Sequence, residues 1–105
     1  MVSLGGYVKI MLTYDIIPQM AEYYYEFMLG ELVPAVESMG LTMSEVWHTA
    51  AGNYPLRLIT FVADDRGAAE HVLACAEFYS LEERLMNYVS NYSLRVVPLR
   101  DHFQF

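Results

Sequence analysis

A chain of 105 residues carrying a formal charge of −7 has room for one domain, 1–105, and Lys9 as its only lysine argues against nucleic acid and membrane surface as partners. Apolar residues make up 55% of it, with nine Tyr, five Phe and seven Met. That is more than so small a domain can bury alone, so the excess is expected to meet a second copy or a ligand.

The opening MVSLGG lacks the basic and long apolar character of a secretion signal, and no apolar run nears the ~20 residues that span a bilayer. Cys75, the single cysteine, cannot form an internal disulfide, and this suggests a cytoplasmic protein. The stretch YVKIMLTYDI then alternates as a strand. Val8, Ile10, Leu12, Tyr14 and Ile16 lie on an apolar face, with Tyr7, Lys9, Met11, Thr13 and Asp15 on a mixed one. A helix is expected over PQMAEYYYEFMLGELVPAVESMG, begun by Pro18 and ended by Gly40. Met20, Tyr24, Phe27, Met28, Ala35 and Met39 form its inward stripe, and Glu22, Glu26 and Glu37 face water. Pro34 removes a backbone donor and predicts a kink near Gly30. Of Tyr23, Tyr24 and Tyr25 only Tyr24 points squarely inward, because consecutive helical residues sit about 100° apart.

A hairpin follows, SEVWHTAAGNYPLRLITFV, with Gly52-Asn53 as its turn. Asp64 and Asp65 are placed to cap a helix through RGAAEHVLACAEF, which puts Cys75 in mid-helix as a small buried residue. SLEERLMNYVSNY restarts the helix, with Ser80 and Glu83 as a capping box and Leu81, Leu85, Val89 and Tyr92 at helical spacing. SLRVVPL is the last strand, and the tail RDHFQF alternates Phe103 and Phe105 with polar residues. The order β-α-β-β-α-β, with right-handed crossovers, predicts an α+β, ferredoxin-like fold: a four-stranded antiparallel sheet with both helices on one face. The other face then carries Met11, Val97, Leu99, Trp47 and Leu58, too much apolar area for water, and two such faces would close on each other as a homodimer.

In this order the chain resembles the dimeric α/β-barrel superfamily, and within it the NIPSNAP-like and antibiotic-biosynthesis-monooxygenase-like groups. FMLGELVPAVESMGL, EVWHTAAGNYP and YVSNYSLRVV look especially like the RedY-like proteins of prodiginine pigment gene clusters. The resemblance implies a small-molecule site, but the superfamily spans cofactor-free oxygenases, haem-degrading enzymes, lactone isomerases and members without an established reaction, so it does not supply a chemistry.

Trp47 and His48 adjoin in a strand and must point to opposite faces. A two-residue turn at Gly52-Asn53 pairs Ala51 with Tyr54, Thr49 with Leu56, His48 with Arg57, Trp47 with Leu58 and Val46 with Ile59. Ile59, Phe61 and Ala63 mark the helix-facing side. That register turns Trp47 to the open face and His48 to the margin of the helix layer, and an odd loop would reverse both. A flat conjugated ligand would stack on Trp47, with Tyr7, Met11, Thr13 and Leu58 around it and Lys9 and Arg95 able to hold a carboxylate or enolate. Alternatively, Lys9 and Arg95 pair with Glu45 or Asp101 across the dimer. His48 is a weak candidate for a base. No Asn is expected on a strand face, with Asn53 in a turn and Asn87 and Asn91 helical, so a haem-degrading Asn/Trp/His set cannot be assigned. His71 and His102 have no partner at metal-ligand spacing, and Cys75 has no base nearby in sequence. No metal or cofactor is expected. The residues thus favour a homodimer that binds or hands over a flat apolar metabolite, such as a pyrrole intermediate of pigment biosynthesis. A cofactor-independent oxygenase or cyclase, and a structural dimer without ligand, stand as alternatives.

Overall fold

The structure, a computed structural model, describes residues 6–49 and 56–98. Strand β1 spans Val8–Ile16, and a short 3-10 turn at Pro18–Met20 leads into α1, Ala21–Phe27. A π-helical turn, Met28–Leu32, joins α1 to α2, Val33–Ser38. Strands β2, Thr42–Thr49, and β3, Leu56–Ala63, form the hairpin. Helices α3, Arg66–Leu73, and α4, Ala76–Leu85, then lead into β4, Val89–Pro98. The sheet runs β2-β3-β1-β4 with every neighbouring pair antiparallel. This is the expected ferredoxin-like α+β arrangement.

Alternation in β1 sorts its side chains as expected. Val8, Ile10, Leu12, Tyr14 and Ile16 are all buried, and with Ile59, Phe61 and Ala63 they meet Tyr24, Phe27, Met28, Leu32, Val36, Phe78, Leu81 and Leu85 from the helices in one core. The helical stripe shifts phase midway. Pro34 has no N–H to donate to Gly30, and the chain takes up an extra residue, so that the Val33 N–H reaches back to the Met28 carbonyl. The expected kink is therefore a π-turn. Beyond it Leu32 and Val36 are buried, while Ala35 and Met39 are only half-buried. Gly40, at φ 105°, ends α2 in the left-handed region that glycine tolerates.

Three element boundaries differ from expectation. The Asp65 side chain accepts from the Ala68 N–H at 2.7 Å and caps α3 as anticipated. The helix stops at Leu73, however, and Cys75, in an extended conformation, is the residue before α4 and not a mid-helix one. Ser80 and Glu83 lie inside α4, so no capping box forms there. Helix α4 ends at Leu85, and Val89, Asn91 and Tyr92 belong to β4, where burial of Val89 opposite Ile16 outweighs helical spacing. Asn91 is therefore a strand residue, contrary to the helical assignment.

Two bulges set which side chains reach which face. In β4 three steps, Ser93 to Ser90, oppose two in β1, Thr13 to Asp15. Asn91 sits there at φ 55° and its Nδ2 donates to Asp15 Oδ2 at 2.6 Å. In β2 the step from Met43 to Glu45 opposes a single step, Phe61 to Thr60, which places Met43 against the core. The Gly52-Asn53 turn, the Ala51–Tyr54 pair, Leu99 and the tail with Asp101, His102, Phe103 and Phe105 lie outside the described residues.

Candidate functional site

The register Thr49–Leu56, His48–Arg57, Trp47–Leu58 and Val46–Ile59 is the one expected for an even loop. Val46 and His48 therefore share the helix side with Ile59, and Trp47 shares the open side with Leu58. Three rows cross the open face of the sheet. One runs Trp47, Leu58, Thr13, Ser93, the next Glu45, Thr60, Met11, Arg95, and the third Thr42, Val62, Lys9, Val97. Each row spans roughly 14 Å at the usual strand spacing. Trp47, Met11, Thr13, Leu58, Lys9 and Arg95 are thus on one face, and Tyr7 precedes them with the same parity.

The described helices pack on the opposite face, so the ring of Trp47 stays 61% exposed. Met11, Leu58, Val62 and Val97 are half-buried by their strand neighbours, and Arg95 is exposed.

A polar network not anticipated as a unit occupies the middle of this face. Lys9 Nζ donates to Glu45 Oε1 at 3.3 Å, the Trp47 indole Nε1 to Glu45 Oε2 at 3.4 Å, and Thr60 Oγ1 to Glu45 Oε1 at 3.4 Å. Ser44, at the bulge, puts its hydroxyl 3.1 Å from that of Thr60, which is fully buried although it lies on the open face. The Lys9–Glu45 pair, one of the options expected across a dimer, is made within one chain. Hydrogen bonds from Trp47 and then Lys9 hold the Glu45 carboxyl below its usual value, against a smaller opposing effect of desolvation. Glu45 thus accepts from Lys9, Thr60 and Trp47, and its bond from the indole N–H orients the edge of the Trp47 ring. The face offers a flat ring with a fixed edge, a row of apolar side chains beside it, and a guanidinium, Arg95, that pairs with no carboxylate among the described residues.

The other side of the sheet carries a second group that sequence reasoning left unconnected. Tyr14 and Tyr24, both fully buried, bring their hydroxyls to 2.5 Å. Arg57 lies over the rings of Tyr24 and Tyr25, at 5.7 and 5.2 Å from their centroids. Tyr92 stacks on Tyr14 and donates its hydroxyl to Glu82 Oε2 at 2.6 Å. Burial raises all three phenols above the ordinary tyrosine value, those of Tyr14 and Tyr92 far above it, while the bonds and charge of Tyr14 and Arg57 oppose the rise at Tyr24. The signal for this cluster was present: Tyr14 interrupts an aliphatic face, and Arg57 shares parity with Ile59, Phe61 and Ala63. His48, paired with Arg57 at the margin, is exposed and makes no side-chain hydrogen bond among the described residues. Among those residues no group of three or more His, Cys, Asp or Glu is placed to hold a metal ion, and no helix is long and apolar enough to cross a membrane.

No protein-family model matches the chain, and no curated protein matches it in sequence. Solved structures do match in fold. A NIPSNAP domain protein from Burkholderia xenovorans superposes with a TM-score of 0.67 at 13% identity, over 93% of this chain and 99% of that one. A candidate antibiotic biosynthesis monooxygenase from Nitrosomonas europaea gives 0.68 at 8% identity, over 90% of each chain. A dimeric ferredoxin-like protein from an uncultured marine organism gives 0.61 at 13% identity, over 97% and 95%. At these identities the likeness is one of fold, and the chain has the ferredoxin-like fold that these proteins share.

Proposed function

We propose that the protein is a homodimer whose two open sheet faces meet, and that the space between them holds a flat, largely apolar metabolite stacked on Trp47. The observation that carries the reading is Trp47 itself. A large ring, 61% exposed and oriented by its bond to Glu45, stands on a sheet face where Met11, Leu58, Val62 and Val97 are no better than half-buried. Leaving such a surface to water is unfavourable, and stacking on an indole rewards a planar conjugated ligand. A solved neighbour of this fold is described as dimeric, which supports the pairing. The likeness of the quoted motifs to RedY-like proteins points further, to a pyrrole intermediate of prodiginine-type pigment assembly. Cys75, half-buried at the α3–α4 junction, fits a protein of the reducing cytoplasm.

The primary role under this reading is to hold and hand over the ligand. A cofactor-independent oxygenase or cyclase is the second reading, favoured by the candidate monooxygenase among the fold neighbours. Sedimentation at micromolar concentration, combined with quenching of the single tryptophan by added pyrrole intermediates, tests the first. A dimer with saturable quenching is expected, and a stable monomer with unquenched fluorescence would refute it. Product formed in the presence of oxygen but not in its absence would move the assignment to the second reading.

A further inference from the structure

The tyrosine cluster on the helix side of the sheet has more hydrogen-bond donors than it can use. Arg57 brings five N–H groups and Tyr14, Tyr24 and Tyr25 bring one O–H each, while the acceptors among these four side chains are only the three phenolic oxygens. One proton is shared between Tyr14 and Tyr24, and Arg57 Nη1 donates to Tyr25 at 3.5 Å. Arg57 Nε is buried without a partner, and it is the one buried side-chain nitrogen or oxygen among the described residues left so. The cationic side chains elsewhere behave differently. Lys9 has Glu45 at 3.3 Å and Arg84 has Glu31 at 2.7 Å, whereas Arg57 has no carboxylate in ion-pair range among the described residues. Arg66 and Arg95 also lack one, but both are exposed to water, and Arg57 is half-buried with its charge resting on two ring faces. A cation withdrawn from water normally pairs with an anion.

We propose that Arg57 and Tyr25 form a binding site for the carboxylate of a small aromatic acid, entered at the margin where β3 meets α1. The forked guanidinium matches a carboxylate in charge and in geometry. Tyr25, 38% exposed, supplies a hydroxyl for the same group and a ring for its apolar body. Tyr24 and Tyr14 behind them hold the guanidinium in place and keep it dry. The site lies on the face of the sheet opposite Trp47 and does not depend on the dimer reading.

Benzoate is the probe, with benzamide as its neutral isostere, titrated against full-length protein while the side-chain Nε–H signal of Arg57 is followed by proton–nitrogen NMR. Benzoate is expected to shift that signal saturably and benzamide to bind at least about ten-fold more weakly. Arg57→Lys, which lacks that Nε–H and is followed instead through the proton signals of benzoate itself, should weaken benzoate about ten-fold or more, because the ammonium keeps the charge and loses the fork. Tyr25→Phe, a change at an exposed hydroxyl that leaves the core alone, should weaken it about three-fold. Trp47→Ala should leave benzoate binding unchanged. The proposal is overturned if the Arg57 signal does not move, if benzamide binds as well as benzoate, or if Tyr25→Phe and Arg57→Lys both bind like the parent. It is equally overturned if Trp47→Ala alone abolishes the response, since the acid then sits on the other face.

Discussion

Removing the hydroxyl of Tyr14 or Tyr24 tests whether the core depends on their shared hydrogen bond. Both rings are fully buried and their oxygens are 2.5 Å apart. Tyr14→Phe or Tyr24→Phe keeps the ring, including the edge-on contact between the two at 5.7 Å, so packing loss is small. What changes is that the surviving hydroxyl is buried without its partner, a state that costs about 1–3 kcal/mol. Tyr24→Phe should sit at the upper end, because the Tyr24 oxygen also faces the Arg57 charge. Removing both hydroxyls leaves neither orphaned. The double variant should therefore lose less than the sum of the singles, by about 1 kcal/mol. For a domain of this size each kcal/mol is about 4–8 °C in melting temperature. Urea unfolding followed by circular dichroism, at one fixed protomer concentration so that any association cancels, measures all four corners of the cycle. Single variants within about 0.3 kcal/mol of the parent, or strictly additive losses, would refute the reasoning.

Alkaline stability follows from the same pair. Burial raises the folded-state pKa of Tyr14 and Tyr24 above the unfolded value near 10, so their contribution is intact below pH ~10 and is lost as pH rises beyond it. Each phenol removes about 1.4 kcal/mol per pH unit. Tyrosinate absorbance should show the buried phenols of Tyr14, Tyr24 and Tyr92 ionising in one cooperative step together with unfolding, whereas their smooth ionisation in the still-folded protein would contradict the burial argument. Trp47→Ala should cost ligand affinity about 1–3 kcal/mol, the scale of stacking on an aromatic, and His48→Gln should leave binding and any turnover within a few-fold. A His48→Gln variant that loses turnover while Trp47→Ala keeps it would place the chemistry on the helix side. Asp65→Ala should destabilise the fold by about 1 kcal/mol in chemical denaturation through loss of the α3 cap, and Asp65→Asn should largely preserve it. Asn91→Val should cost about 1–2 kcal/mol for its positive φ, with Asn91→Gly milder, and equal losses from both would assign the effect to the Asp15 bond instead.

Alternation in β1, the even hairpin register and the Pro34 and Gly40 signals were legible in the sequence because each is a local rule. A strand shows every second side chain to the same side, a proline lacks its N–H, and a glycine accepts φ 105°. They were enough for the ferredoxin-like order and for placing Trp47 and His48 on opposite faces. The bulges at Ser44 and Asn91, the early end of α4 and the helix break at Cys75 were decided in three dimensions. At each of these points local spacing allowed more than one choice, and at the end of α4 it was burial of Val89 opposite Ile16 that selected the strand. Leu85 and Val89 both go inward, one from a helix and one from a strand, and helical spacing alone treated them alike. The two side-chain clusters needed the same long-range information. Lys9 with Glu45, and Tyr14 with Tyr24 and Arg57, are brought together from separate elements by the strand order β2-β3-β1-β4, and no spacing along the chain encodes that proximity.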